Sequence, residues 1–271
     1  MSAATTRVVE PGEDLQVRRL EDPATFERLD RVDLSDWFNP FLPTFARDAA
    51  RSGGAVRTVV REDEIVGLGI AHPNEKVVSI FARTRRPAEM LRREDPASAG
   101  FCEIELEPVG EVFWIFRRPL WGPEPDHRFR HAVRTADPSE TGEIARRMRE
   151  EYGQLDDRWL LSASEEGETC FVAVAGDDLA GVAWVCMRAQ RARLHSLVVA
   201  PRYRRLGVAT DLLMARLLWA RTSGATDAIL EISEHNHASQ EVAGLGGFRP
   251  AGRIFWMRPT HDPWDGPAAC P

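Results

Sequence analysis

Lysine is nearly missing: Lys76 is the only one, and arginine carries the rest of the 35 basic residues. A general compositional bias accounts for that without a functional role. Tyrosine is equally scarce, with Tyr152 and Tyr203 alone. The four cysteines, Cys102, Cys170, Cys186 and Cys270, are scattered, without C-x-x-C and without a histidine at ligand spacing. That excludes a disulfide framework and gives no expectation of a metal. Cys170 and Cys186 fall in apolar, strand-like runs and read as buried free thiols. No apolar run reaches the roughly 18 to 20 residues that span a bilayer. Met1 to Asp14 also lacks the apolar stretch of a secretion signal, so a cytoplasmic protein without membrane contact is expected. The formal net charge of −7 is the opposite of a nucleic-acid binder's basic footprint. It suits a cationic acceptor such as an amine. Neither G-x-G-x-x-G nor a P-loop is present, which removes two common phosphate-binding signatures.

What is present is enough apolar material, 43% of 271 residues, for one large domain or two ordinary ones. Hydrophobic spacing predicts a loose arm over Met1 to Asp14, a strand at Leu15 to Leu20, and a helix starting at Asp22-Pro23. A second amphipathic stretch, Trp37 to Ala50, carries Phe38, Phe41 and Phe45; these pack a core or line an acceptor pocket. Strands follow at Val56 to Arg61, Ile65 to Ala71 and Val77 to Phe81, then a helix at Pro87 to Arg93, then strands at Phe101 to Leu106 and Val112 to Arg117. Trp121 to Asp126, reading WGPEPD, breaks every pattern and marks a boundary. Beyond it the order repeats. Arg130 to Arg134 is strand-like, Asp137-Pro138 starts a helix, and Thr169 to Ala175 forms a hairpin with Leu179 to Met187 around Gly176-Asp177-Asp178. The next strand is Arg193 to Val199.

The stretch that organises the chain is Leu194 to Leu213, LHSLVVAPRYRRLGVATDLL. An apolar strand ends at Pro201, a basic loop with one glycine follows, and apolar residues at helical spacing begin at Val208. The first amides of such a helix are unpaired and point back at the loop. Gly207 lets backbone approach a ligand closely, and the positive helix end favours phosphate oxygens. This is a pyrophosphate cradle.

At these residues the chain resembles the GNAT family of acyl-CoA-dependent N-acetyltransferases. Arg204, Gly207 and Ala209 match its loop of Gln or Arg, two residues, Gly, one residue, and Gly or Ala. Downstream, Ala228 to Ser233, Asn236 and the Gly247-Phe248 pair resemble its fifth strand, the asparagine after it and its terminal Gly-Phe. The resemblance implies an α/β fold of the α+β, mixed-sheet kind. It also implies acetyl-CoA as cosubstrate and direct transfer to a small-molecule or protein amine. The alternative is a regulatory acyl-CoA-binding module without catalysis. Oligomeric state is not legible.

The halves match at an offset of roughly 115 residues, which suggests duplicated domains. Residues 129–259 carry the resemblance well. Residues 15–120 share only its architecture, because Arg83-Thr84-Arg85-Arg86-Pro87 stands where the second copy has its glycine loop. Two GNAT-like domains are expected, the N-terminal one degenerate.

The resemblance also implies site roles. Amides around Leu197, Val198 and Val199 would hold the acetyl carbonyl and pantetheine arm. Arg204, Arg205, Leu206, Gly207, Val208, Ala209 and Thr210 would take the pyrophosphate, and Asn236 the cofactor arm. Family members often carry glutamate two or four residues before the carbonyl-binding amide; His195 and Arg193 stand there. Arginine is no base at neutral pH, whereas histidine titrates near 6.5. His195 is therefore the first candidate base and Glu231, on the next strand, the second. The family's usual tyrosine acid falls at Ala243, which has no proton to donate.

Overall fold

The computed structural model describes residues 6–7, 15–72, 77–95, 98–106, 109–122, 126–152 and 167–257. The centre of the WGPEPD stretch and all of the arm expected at Met1 to Asp14 except Thr6 and Arg7 lie outside them. The chain forms two compact units, residues 1–113 with 253–271 and residues 114–252. Each is an α+β unit on a mixed sheet.

In the first unit the strands are β1 (Thr6–Arg7), β2 (Leu15–Leu20), β3 (Ala55–Arg61), β4 (Glu64–His72), β5 (Val77–Ala82) and β6 (Ala99–Cys102), in that order across the sheet. Pairs from β1 to β5 are antiparallel, and β5 to β6 is parallel. Three helices accompany them: α1 (Pro23–Phe26), α2 (Leu42–Arg51) and α3 (Arg85–Glu94). Strand alternation divides the side chains between two faces. Ile80 and Ala82 pack with Ala88 and Leu91 of α3. Phe81 points the other way, 5.9 Å from Phe38 and 6.3 Å from Phe45 between ring centroids. Phe38 and Phe41 are buried, so this aromatic cluster is core. The helix expected from Trp37 begins only at Leu42, after a short 3-10 turn at Asn39–Phe41 that carries Pro40. The strand expected at Phe101 to Leu106 is shorter and earlier, because the chain turns after Cys102, whose Sγ accepts from Ile104 N at 3.4 Å.

The chain leaves the first unit inside β7 (Val109–Pro119) and returns to it inside the last strand, Arg249–Met257. That return strand was not expected. Its Phe255, Trp256 and Met257 pair antiparallel with Cys102, Phe101 and Gly100 of β6.

In the second unit the strands are β8 (Ala132–Thr135), β9 (Thr169–Ala175), β10 (Asp178–Arg188), β11 (Arg191–Val199) and β12 (Asp227–Ser233), followed by the return strand, β13. Their order is β7-β12-β11-β10-β9-β8. Pairs from β8 to β11 are antiparallel, and β11 to β12 is parallel. The helices are α4 (Thr141–Tyr152), α5 (Val208–Thr222) and α6 (His237–Leu245). Asp137 starts the turn into α4 through a capping box: it accepts from Ser139 N at 2.9 Å while Glu140 accepts from Asp137 N at 2.7 Å. One sheet face, with Val172, Val182, Trp184 and Val198, packs on Ile144 and Met148 of α4. The other, with Ala183, Val185 and Leu194, packs on Leu212 and Leu217 of α5. Gly181 sets the approach of α5, since a Cβ there would stand 2.9 Å from Val208 Cγ1 and 3.0 Å from Leu212 Cδ1.

A polar device sits in the first unit. Buried Ser35 accepts from Phe38 N at 2.8 Å and donates to the Glu103 carboxylate. Burial pushes the Glu103 carboxyl up to about 7, against the Ser35 bond that favours its charge. The folded state therefore holds this proton where the unfolded chain has lost it. The resulting stability is full below about pH 4.5 and lost as pH rises through about 7. Glu103→Gln should leave urea stability almost unchanged near pH 5 and raise it by roughly 2 kcal/mol relative to wild type near pH 8. Equal differences at both pH values would contradict this assignment.

Candidate functional site

The site is built on an irregularity in β11. Val182 pairs with Val198, but Trp184 pairs with His195, so Ser196 and Leu197 together face the single residue Ala183. This is a β-bulge. Ser196 takes a left-handed φ of 51°, unusual for a residue with a side chain. The extra residue reverses the alternation. His195 and Val198 share the face that carries α4, whereas Leu194 and Leu197 turn toward α5.

Beside the bulge the sheet opens. β11 pairs with β12 only at Arg191, Ala192 and Arg193, opposite Asp227, Ala228 and Ile229. Beyond Arg193 no ladder pair joins the two among the described residues. The edge of β11 from Leu194 to Val199 is thus not closed by β12; this is the edge to which the family resemblance assigned the amides around Leu197 to Val199.

Two carbonyls at the bulge are held from below. Arg216 of α5 is buried, and its Nη1 donates to Trp184 O at 2.9 Å and to His195 O at 3.3 Å. Its Nε donates to Leu212 O at 3.2 Å. A buried guanidinium is expensive unless bonded, and here its bonds go to backbone carbonyls of β10, β11 and its own helix.

After the strand, a short turn at Pro201–Tyr203 leads into the loop. Arg204 does not reach into it: Nε donates to Val199 O at 3.2 Å and Nη2 meets Glu151 Oε2 of α4 at 2.7 Å. Arg205 has φ 66° and Gly207 φ 96°. Leu206 is exposed, Val208 is buried as an anchor, and Ala209 and Thr210 complete the first turn of α5. Gly207 is the helix N-cap and no side chain caps it. The first intrahelical bond at this end runs from Asp211 N to Gly207 O at 3.0 Å. The amides of Val208 to Thr210 are left for an anion. A Cβ on Gly207 would lie 3.3 Å from Arg130 Cδ, so a second arginine flanks the cradle.

Arg130 is held there by a contact that sequence reasoning missed. Asp211, buried one turn into α5, accepts from the backbone N of Arg130 at 3.1 Å and of His131 at 3.0 Å. Its carboxylate oxygens also meet His127 Nε2 and His131 Nδ1, each at 2.7 Å. Burial opposes the charge of Asp211, but these bonds hold its carboxyl below the usual carboxylate range. A carboxylate among the apolar residues of the helix's first turns was the available signal.

The two candidate bases lie on neighbouring strands. Glu231 is paired with Arg193, Nε to Oε1 at 2.8 Å. His195 has Nδ1 at 3.0 Å from Ser196 Oγ and Nε2 at 3.3 Å from Glu168 Oε2. Burial raises the carboxyl of Glu168, but His195, Arg193 and Arg188 more than offset it and keep it below its ordinary value. Glu168 escaped sequence reasoning because only the β9–β10–β11 register brings it beside His195. Asn236 caps α6, accepting from Ser239 N at 3.1 Å. Ala243 is buried in the α5 core cluster and offers no proton.

A bulged, splayed strand running into a helix capped only by a glycine backbone leaves amides facing one side, an arrangement suited to an extended ligand that carries phosphate. The Acetyltransferase (GNAT) family model matches residues 106–246, just over half of the chain. The chain belongs to that family and is an acyltransferase, and the family uses acyl-CoA. A GCN5-related N-acetyltransferase from Sphaerobacter thermophilus superposes with TM-score 0.62 at 16% identity, covering 92% of this chain and 97% of that one. A GNAT-family acetyltransferase from Colwellia psychrerythraea gives 0.60 at 14%, covering 89% and 99%. A Drosophila protein gives 0.63 at 12%, covering 90% and 99%. At such identities the likeness speaks for the fold. No curated protein matches the chain.

Arg216 ties the bulge to α5. Arg216→Met should leave two buried carbonyls short of donors and destabilise the fold by roughly 2 to 4 kcal/mol, measured by urea unfolding. It should also weaken acetyl-CoA binding in calorimetry. Wild-type stability and affinity together would show that the bulge stands without it.

Proposed function

We propose that this chain transfers the acetyl group of acetyl-CoA directly to an amine, with the second unit as the copy that binds cofactor. The observation that carries this is the bulge at Ser196-Leu197 leading into a helix whose first amides have no side-chain cap. The residues fit the cofactor. A side chain at Gly207 would press on Arg130, which with Arg205 stands beside the cradle, and the unclosed edge of β11 offers amides to the acyl carbonyl and pantetheine arm. Bound acetyl-CoA supplies the activated acyl carbon.

The chain's own groups then have three tasks. Amides beside Leu197 stabilise charge on the carbonyl oxygen, where fixed donors matter most. Holding amine and thioester together removes much of the entropic barrier. The third task, taking the amine proton, falls to His195, with Ser196 Oγ at Nδ1 as the relay toward the bulge. Glu231 is the weaker candidate because its carboxylate already serves Arg193. With Ala243 at the usual acid position, the departing thiolate leaves with a proton from water or unassisted; a thiol of ordinary pKa near 8.5 tolerates that. The same residue favours the rival reading, a binder without turnover.

The first unit is a degenerate copy, residues 15–120 against 129–259. It repeats antiparallel strands, one parallel pair and a crossover helix, as β3-β4-β5-α3-β6 against β9-β10-β11-α5-β12. Its β5 pairs with β4 in unbroken register from Gly67–Ala82 to His72–Val77, so the bulge has no counterpart there. The acceptor is a small-molecule or protein amine.

Titration calorimetry of the full chain with acetyl-CoA should give one site per chain. Two sites would refute a degenerate first copy, and none would refute the reading. Gly207→Glu places bulk and negative charge in the cradle at a φ side chains resist, and should weaken affinity at least tenfold. His195→Ala should lower turnover roughly 100-fold with acetyl-CoA affinity preserved. Normal turnover would make His195 structural, and binding without turnover in wild type would favour the rival.

A further inference from the structure

The face of the second unit that carries α4 gathers three donor atoms of different chemistry. The register makes this inevitable. Cys186 pairs with Arg193 and Trp184 pairs with His195, while Trp184 also pairs with Cys170. Continuing that ladder two residues brings Glu168, just before β9, alongside Cys186. The carboxylate of Glu168, the thiol of Cys186 and the imidazole of His195 then lie on three adjacent strands of one face. One donor atom from each lies within 4.8 Å of the other two. All three side chains are about nine-tenths buried or more.

We propose that Glu168, Cys186 and His195 form a binding site for one zinc-class divalent cation, with water as the fourth ligand. Thiolate, imidazole and carboxylate together are donors for a borderline ion such as Zn²⁺, and three protein ligands plus an open position is a common zinc arrangement. The spacing already suits it. A tetrahedral zinc with bonds near 2.0 Å sets neighbouring nitrogen and oxygen ligands roughly 3.3 Å apart, and His195 Nε2 stands 3.3 Å from Glu168 Oε2. Glu168 Oε2 is buried and meets the His195 imidazole at ion-pair distance, 3.3 Å, outside hydrogen-bond geometry. A carboxylate oxygen so held has lone pairs left for a cation.

Charge also closes. Of the two arginines that act on the cluster, Arg193 and Arg188, Arg193 is neutralised by Glu231 at 2.8 Å. One thiolate and one carboxylate then balance a dication. On binding, the Cys186 S–H bond breaks, a sulfur–zinc bond forms, and the proton goes to solvent. Burial holds the free thiol up at about 12, so in the metal-free protein Cys186 is neutral and resists oxidation. With the metal on Nε2, the proton of His195 sits on Nδ1, facing Ser196 Oγ. Its lone pair is then withdrawn from proton transfer. Only that last consequence rests on His195 as the base.

The test uses the full chain and cobalt(II) as a spectroscopic stand-in, followed by zinc. Wild type should take up one Co²⁺ with a thiolate-to-cobalt charge-transfer absorption that Zn²⁺ displaces, and zinc should raise its melting temperature. Cys186→Ser should lose the absorption, and Glu168→Gln should bind at least tenfold more weakly, with circular dichroism reporting that each is folded. Wild type without the thiolate absorption, or the same affinity in Glu168→Gln, would overturn the site and leave a His–Glu ion pair beside a core thiol. Should the variants fail to fold, X-ray absorption of zinc-loaded wild type decides: one sulfur in the zinc shell supports the site, and none overturns it. If the metal binds as described yet leaves acetyl transfer unchanged, the site stands and the assignment of His195 as base falls.

Discussion

One extra residue in β11 is the constraint on which the second unit depends. The bulge at Ser196-Leu197 reverses the strand's alternation, so His195 serves one face of the sheet and Leu197 the other. Without it, His195 and Leu197 would share a face, and Leu197 and Val199 would leave the α5 core. A bulge displaces backbone groups from their ladder, and displaced groups must be bonded or used. The carbonyls of Trp184 and His195 are bonded, by Arg216 from the helix that begins at the cradle. The amides on the open side are those that the proposed function gives to the cofactor. Structure and function are thus coupled through one irregularity.

Burial of charge around that irregularity follows the same logic. Asp211, Glu168, Arg193 and Arg216 are all costly groups to remove from water, and each has a partner or a neighbour of opposite sign. Their partners come from different segments, so they fix registers more than they add stability. Asp211 ties residues 127–131 to the first turn of α5, which puts Arg130 beside Gly207. Arg193 and Glu231 tie β11 to β12 close to where their ladder ends. The first unit has the same succession of strands and helix but no bulge in β5, and Thr84 rather than a glycine stands before α3. Lacking both, it has no cradle of this kind among the described residues.

Local chemistry was legible where neighbours in sequence are neighbours in space. The hairpin of β9 and β10, the helix start at Asp137 and the strand–loop–helix at Leu194 to Leu213 all follow from short-range rules. The placing of β6 failed because a single turn after Cys102 decides where that strand ends. The return strand Arg249–Met257 was invisible because its partners, Gly100 to Cys102, are about 150 residues away.

By itself the sequence determined an α+β chain with apolar cores, a glycine at the mouth of a phosphate-favouring helix, and the residue types available for chemistry. Those are properties of spacing and composition. Tertiary structure decided which of them meet. It turned Arg204 away to Glu151, gave Glu231 to Arg193, brought Arg130 to the cradle, and set Glu168 and Cys186 beside His195. The physical reason is that a strand's register, and a bulge within it, is set by the summed packing of whole faces. No local window of sequence contains that sum.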